Sequence, residues 1–254
     1  MTTHKLLSAF GIMLLTAVSG FAQQTPGTVA SLEFQTPKNG MVKQYEIGRK
    51  QKIDWHKQQK DTQPLYVWET ISGDNTGTYI VGRLGQHWAD LDKPSVPEQA
   101  DLEAYTNLIG ANVQSLVTRY YEFLPKVSSP IDSAGPAKYS EVITYRVRPG
   151  KEQEFRSGLN RASEAIVKTK WPGHGYWYVL ANGGTTGTYV LVIPHANWAD
   201  FGDNPNMKPF DEMLKDAFGS EEAASINARF DSSIQSATSE VIQFRADLSY
   251  LPAK

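Results

Sequence analysis

Apolar and polar residues alternate over short stretches of this chain and recur every three or four residues over longer ones. Strands and helices are therefore predicted to interleave. Residues 65–72 and 78–84 flank Gly73-Asp74-Asn75-Thr76-Gly77, a run of turn formers, and predict a hairpin. Residues 176–181 and 188–193 predict a second hairpin around Asn182-Gly183-Gly184-Thr185-Thr186-Gly187. Leu102, Tyr105, Ile109, Val113 and Leu116 form one helical stripe in a segment beginning near Glu98. Phe155, Leu159, Ala162 and Ile166 form another. Phe210, Met213 and Leu214 start a further helical region, continued by Ile226, Phe230 and Ile234 after a break at Gly219. Other strands are predicted at 42–47, 118–124, 141–148 and 241–251, and a short helix at 50–60. Residues 23–40, with Pro26, Gly27, Pro37 and Gly40 among polar residues, read as a linker.

Part of this pattern occurs twice. Gly77-Thr78-Tyr79-Ile80-Val81 with Trp88-Ala89-Asp90 returns 110 residues later as Gly187-Thr188-Tyr189-Val190-Leu191 with Trp198-Ala199-Asp200. An internal duplication follows from that agreement. Pairing the predicted first strands aligns Tyr45 with Tyr145, an offset of 100, which places ten extra residues in or after the first helix of the second copy. The expected division is a leader over 1–22, a linker over 23–40, one unit over 41–125, a linker over 126–138 and a second unit over 139–252.

Each unit then reads β-α-β-β-α-β, the ferredoxin-like split unit, and the fold class is α+β. One such unit leaves a sheet face bare, and two can cover each other sheet to sheet. In element order and duplication, residues 41–252 resemble the dimeric α+β barrel superfamily. That superfamily includes antibiotic-biosynthesis-type monooxygenases, EthD-like and NIPSNAP-like proteins and, more distantly, chlorite-dismutase-like haem proteins. The resemblance implies a barrel of two units. Its members include enzymes that act without a cofactor on a reactive substrate, and others that carry haem.

Closing the first turn with Ser72 opposite Gly77 puts Tyr66, Trp68, Thr70, Tyr79, Val81 and Arg83 on one sheet face. The second copy places Tyr176, Tyr178, Leu180, Tyr189, Leu191 and Ile193 there. Facing each other across the barrel, these residues would line an aromatic cavity for a small apolar or aromatic ligand, with Arg83 as a polar anchor. Glu46, Arg146, Arg245 and Asp247 are the neighbours that strand parity offers Arg83. The competing reading is ordinary packing between two sheets.

Composition narrows the classes. Lys5 precedes an apolar run over 6–21 that ends in Gly20-Phe21-Ala22, so a secretory leader cleaved after Ala22 is expected, with a secreted or periplasmic product and no membrane anchor. The formal charge of −2 argues against a nucleic-acid partner. The chain has no cysteine, which removes disulfides, thiolate metal sites and a cysteine nucleophile.

Past the leader the histidines are His56, His87, His174 and His195, with no metal-ligand spacing among them. His174, in Trp171-Pro172-Gly173-His174-Gly175, lies in the expected insertion and is the first candidate for a site-specific role; His195 is the second. In the chlorite-dismutase resemblance a histidine of the second unit would ligate haem iron, and only position connects either residue with that role. The repeated Trp-Ala-Asp is read as structural, the Trp wedged on the core and the Asp capping a turn. No phosphate loop, serine elbow or paired-carboxylate signature is present.

Three readings result. The first is a small-molecule-binding barrel, oxygenase-like and without cofactor, compatible with a homo-oligomer. The second is a filled barrel acting as a structural or interaction module, and the third a haem protein. The unmatched histidines and Arg83 imply that at most one copy carries a site.

Overall fold

A computed structural model describes residues 27–131, 135–202 and 204–252, so the predicted leader lies outside the described residues. The first half runs β1 (Val29–Pro37), α1 (Val42–Gln58), β2 (Tyr66–Ser72), β3 (Tyr79–Gln86), α2 (Glu98–Leu108) and β4 (Val113–Phe123). The second runs β5 (Tyr139–Val147), α3 (Glu152–Thr169), β6 (Tyr176–Asn182), β7 (Thr188–His195), α4 (Phe210–Phe218), α5 (Ser220–Ser233) and β8 (Ile234–Phe244). All eight strands pair antiparallel in one closed barrel, in the order β1-β3-β2-β8-β5-β7-β6-β4. The halves join where β2 meets β8 and β4 meets β6, so each half supplies the strand that the other's edge lacks.

The start of the first half differs from the sequence reading. Residues 29–37, expected as linker, form β1, and residues 42–47, expected as a strand, open α1. The two differences have separate causes. On β1, Ala30, Leu32 and Phe34 join the barrel core, while Ser31, Glu33 and Gln35 alternate with them and turn toward the helices. On α1, Tyr45, Arg49, Lys52 and His56 are the inner face. The alternation of Ala30, Leu32 and Phe34 with polar residues is a strand period, masked by Pro26, Gly27, Pro37 and Gly40, which bracket it. The polar inner face of α1, by contrast, leaves no helical period to read.

With these elements in place the offset is 110 from β1 and β5 through the turns at Trp88 and Trp198, with no insertion near the first helix. It widens to 121 only at β4 and β8, because α4 and α5 stand where the first half has α2 alone. The helix expected through Leu116 stops at Leu108, and Val113 and Leu116 belong to β4. The last strand ends at Phe244, and Ala246–Leu248 is a short turn of helix.

Side chains from both halves fill the barrel. Ala30, Tyr121 and Val190 form one cluster with Leu32, Phe34, Val142, Tyr178 and Leu180. Trp68, Ile80 and Ile242 form the next, with Tyr66 and Phe244. The helices cover the outside of the barrel, giving each half its own helix–sheet layer.

The chain after each half's last strand crosses to the other half. Ser249 Oγ accepts the Val67 N–H and donates to the Arg245 carbonyl (both 2.9 Å). Ser128 Oγ likewise accepts from Trp177 and donates to Leu124 (both 2.8 Å). Tyr250 pairs with Leu65 through both backbone groups (2.8 Å each). The helix–sheet layer of the first half is thus completed by residues 245–250 of the second.

Candidate functional site

The eight residues proposed from sequence do not form one site. The hairpin register pairs Tyr66 with Gly82 and Trp68 with Ile80, one residue away from the register expected. The second hairpin pairs Tyr178 with Val190. A one-residue slip turns every side chain of a strand to the other face. Tyr66, Trp68, Tyr176 and Tyr178 therefore keep their place on the barrel side, where Trp68 and Phe244 lie 6.0 Å apart and Phe123 and Tyr178 5.3 Å apart.

Tyr79, Arg83 and Tyr189 instead face the helices. Tyr79 donates to Glu46 (2.8 Å), and Tyr189 accepts from Arg156 Nε (2.7 Å). His174 is exposed before β6 and stands in no insertion, since a shift of 110 places it opposite Pro64. Arg83 reaches none of its four expected neighbours, binding Asp61 Oδ2 (2.9 Å) and the Gln63 carbonyl (2.8 Å). The Trp-Ala-Asp turns are capped as expected, with Asp90 and Asp200 accepting backbone N–H groups (2.7 and 2.8 Å). Their tryptophans are largely exposed rather than wedged in the core.

Chemistry collects in the helix–sheet layer of the first half. Arg49 and Lys52 are each 3% exposed, Asp61 2% and His56 1%. Residues 49, 52 and 56 share one helix face because they are spaced by three and four. Opposite them, Tyr45 OH donates to Gln35 Oε1 (2.8 Å), and Gln35 Nε2 donates to Glu33 Oε2 (2.6 Å). Lys52 Nζ binds Asp101 Oδ1 (2.8 Å), tying α1 to α2. Asp61 accepts from Arg83, from Ser95 Oγ and from the Gln63 N–H. The Tyr250 ring stacks on His56 at 5.3 Å while its hydroxyl donates to the Asp61 carbonyl (2.6 Å).

His56 is the least satisfied member. Its Nδ1 lies 2.8 Å from Asp61 Oδ2 and its Nε2 3.9 Å from Asp101, yet neither nitrogen makes an aligned hydrogen bond. Burial, aided by the Lys52 charge, pushes its pKa down to about 4. Asp61 and Asp101 pull the other way, but Lys52 and Arg83 offset them, so burial decides and the imidazole is neutral at pH 7. Burial also works to raise Asp61, but the hydrogen bonds from Ser95, Gln63 and Arg83 outweigh it and hold the carboxyl below its usual value. Burial raises the Glu33 carboxyl, against the opposing effects of Gln35 and Arg49. A neutral imidazole beside a fixed carboxylate has the geometry of a general base, while its low pKa makes it a weak one as long as burial and the Lys52 charge act on it.

At the same offset the second half is apolar. Glu33, Arg49, His56 and Arg83 correspond to Ile143, Leu159, Ile166 and Ile193, and Tyr45 to Phe155. Phe155, Leu159 and Tyr189 pack with Trp177, Val179 and Phe230. The sequence reading missed Glu33, Arg49, Lys52, His56 and Asp61 as site residues. The signal that reveals them is the contrast between the halves, which the misplaced offset of 100 concealed.

Haem does not suit the residues present. His87 and His174 are exposed, His195 has a buried, unpartnered Nε2 but its ring is stacked on Phe201 at 3.8 Å, and His56 is enclosed by Asp61, Asp101 and Tyr250. Among the described residues no group of three or more histidine or acidic side chains is placed to hold a metal ion.

No family model matches the chain, and no curated protein matches it in sequence. Solved structures do match in fold. A putative monooxygenase from Lactobacillus acidophilus superposes with a TM-score of 0.53 at 8% identity, over 89% of this chain and 97% of that one. An anthrone oxidase-like protein gives 0.52 at 12% identity, over 89% and 94%. A mutant chlorite dismutase from Candidatus Nitrospira defluvii gives 0.50 at 11%, over 89% and 94%. At such identities what is shared is the fold, and it is the dimeric α+β barrel.

Proposed function

We propose that the protein binds a small organic molecule in the helix–sheet layer of its first half, and that His56 takes a proton from it. The observation that carries this reading is a neutral, fully buried imidazole with no hydrogen-bond partner on either nitrogen. Buried polar atoms are normally paired, and an unpaired base beside a carboxylate needs either a ligand or a reason in chemistry. In this reading Nε2 accepts the proton, while Asp61, fixed by Arg83 and Ser95, steadies the imidazolium that forms. Asp101, on α2, is the half-exposed member of the cluster, bound to Lys52 and 3.9 Å from His56 Nε2.

Removing a proton from a phenol or activated C–H is the opening step of oxygenation without a cofactor. The monooxygenase and anthrone oxidase-like descriptions of the structural neighbours support that class. We include export by the leader over 1–22, and descent of the halves from one duplicated unit, in the same proposal.

Calorimetric titration with 2-naphthol, together with oxygen uptake in the presence of anthrone, tests it. The wild type binds, and H56I loses about tenfold or more of the affinity and the oxygen uptake. Equal binding by H56I, or loss in H174A instead, overturns the assignment.

A further inference from the structure

The cations of this layer are not equally provided for. Lys52 has Asp101, Arg83 has Asp61, and Arg245 has Glu46, Glu69 and Asp247. Arg49 makes no hydrogen bond or ion pair with any described residue, and its Nε is buried and unpartnered. The acid facing it from β1, Glu33, is engaged by Gln35. A guanidinium is always charged, and one kept out of water without a counter-charge is costly. The second half has leucine at the same place, so neither the helix nor its packing requires an arginine there.

We infer that Arg49 holds the anionic oxygen of the ligand whose ionisable proton meets His56. This inference rests on the reading of His56 given above and specifies the ligand. Arg49 and His56 lie seven residues apart on one helix face, which separates them by about 10 Å along the axis. Tyr45, Tyr105 and Tyr250 flank that line. The ligand class is therefore an aromatic acid with a carboxylate, or an equivalent anionic oxygen, at one end and an acidic O–H or C–H at the other. Charge-assisted, two-pronged hydrogen bonding is what a guanidinium offers such a group. Glu33, the acid facing Arg49, has its own hydrogen bond from Gln35 and makes no ion pair with the guanidinium.

The test compares 6-hydroxy-2-naphthoate with 6-hydroxy-2-naphthamide, which share shape and hydroxyl but differ in charge, and uses 2-naphthol as the reference probe. The wild type is expected to bind the acid about tenfold or more tightly than the amide, and R49Q to bring that ratio near one. Because the substitution removes an unpaired buried charge, R49Q and R49L should melt at the wild-type temperature or above it. Equal affinities for acid and amide in the wild type, with 2-naphthol still binding, overturn this inference and leave the role of His56 standing. Failure of all three probes removes both. A lower melting temperature in R49Q and R49L, with the acid preference unchanged, makes Arg49 structural and also overturns the inference.

Discussion

The two helix–sheet layers of this protein have the same elements and opposite chemistry. In the second half, Phe155 and Leu159 point from α3 onto an aromatic sheet face and Ile166 packs against α4 and α5, which makes an ordinary apolar core. In the first, Tyr45, Arg49 and His56 occupy the same positions on α1 over Glu33 and Gln35. The second layer shows that this architecture is satisfied by apolar residues, so the buried polar groups of the first are not demanded by the fold. Such groups are tolerated where they serve a site, and elsewhere they cost stability. The second half also supplies Arg245 and Tyr250 to the first layer, so one chain carrying two unlike halves can build a site that two identical subunits would repeat.

Cutting into each layer should cause the largest effects, by different mechanisms. Phe155→Ala removes a buried ring and is expected to cost about 3–5 kcal/mol in chemical denaturation. Asp61→Ala should cost about as much, roughly 3–5 kcal/mol, because it leaves the Arg83 guanidinium and the Ser95 and Gln63 donors without their acceptor. A loss under 1 kcal/mol on the Asp61 side (roughly the worth of one neutral hydrogen bond) would show that the network is loosely held.

Acid should separate the layers next. His56 has a folded pKa below its unfolded value, so between about 6.5 and about 4 the unfolded chain takes a proton that the folded one refuses. Stability is therefore full above that window and falls by about 1–3 kcal/mol as pH drops through it. H56I should flatten this slope, as followed by urea midpoints across the range. A slope unchanged in H56I would place the titrating group elsewhere.

Much of the barrel was legible in the sequence, and the reason lies in which strands have apolar partners. The two hairpins, α3 and β5 showed clear periods because one face of each meets a hydrophobic layer. α1 did not, because the face it buries carries Arg49, Lys52 and His56, and β1, whose Ala30, Leu32 and Phe34 do alternate with polar residues, was hidden by the Pro and Gly on either side of it. The polar cluster and the misread helix therefore share Arg49, Lys52 and His56. Tyr79, Arg83 and Tyr189 were misplaced for another reason: their distance along the strand is plain, but their face depends on a turn register that differs by one residue. That the two halves differ in polar chemistry follows from unmatched residues in either reading, and the buried polar cluster lies in the half without His174.

Smaller substitutions sharpen the comparison. Tyr45→Phe copies Phe155 and loses one hydrogen bond to a buried glutamine, so about 1 kcal/mol is expected. Tyr79→Phe and Tyr189→Phe should each cost about 1 kcal/mol or less, since Glu46 keeps Arg245 and Arg156 loses only one acceptor. Thermal melts of the three variants would expose any larger dependence.

The central claim is that the first layer is polar for function and not for folding, and a double variant tests it most directly. R49L/H56I installs the residues that the second half carries at the same positions, while Asp61 keeps Arg83, Ser95 and the Gln63 N–H as partners. Melting temperature and 2-naphthol affinity are measured together on this protein and the wild type. The account predicts a melting temperature equal to or above that of the wild type, with binding lost. A lower melting temperature with binding intact would contradict it.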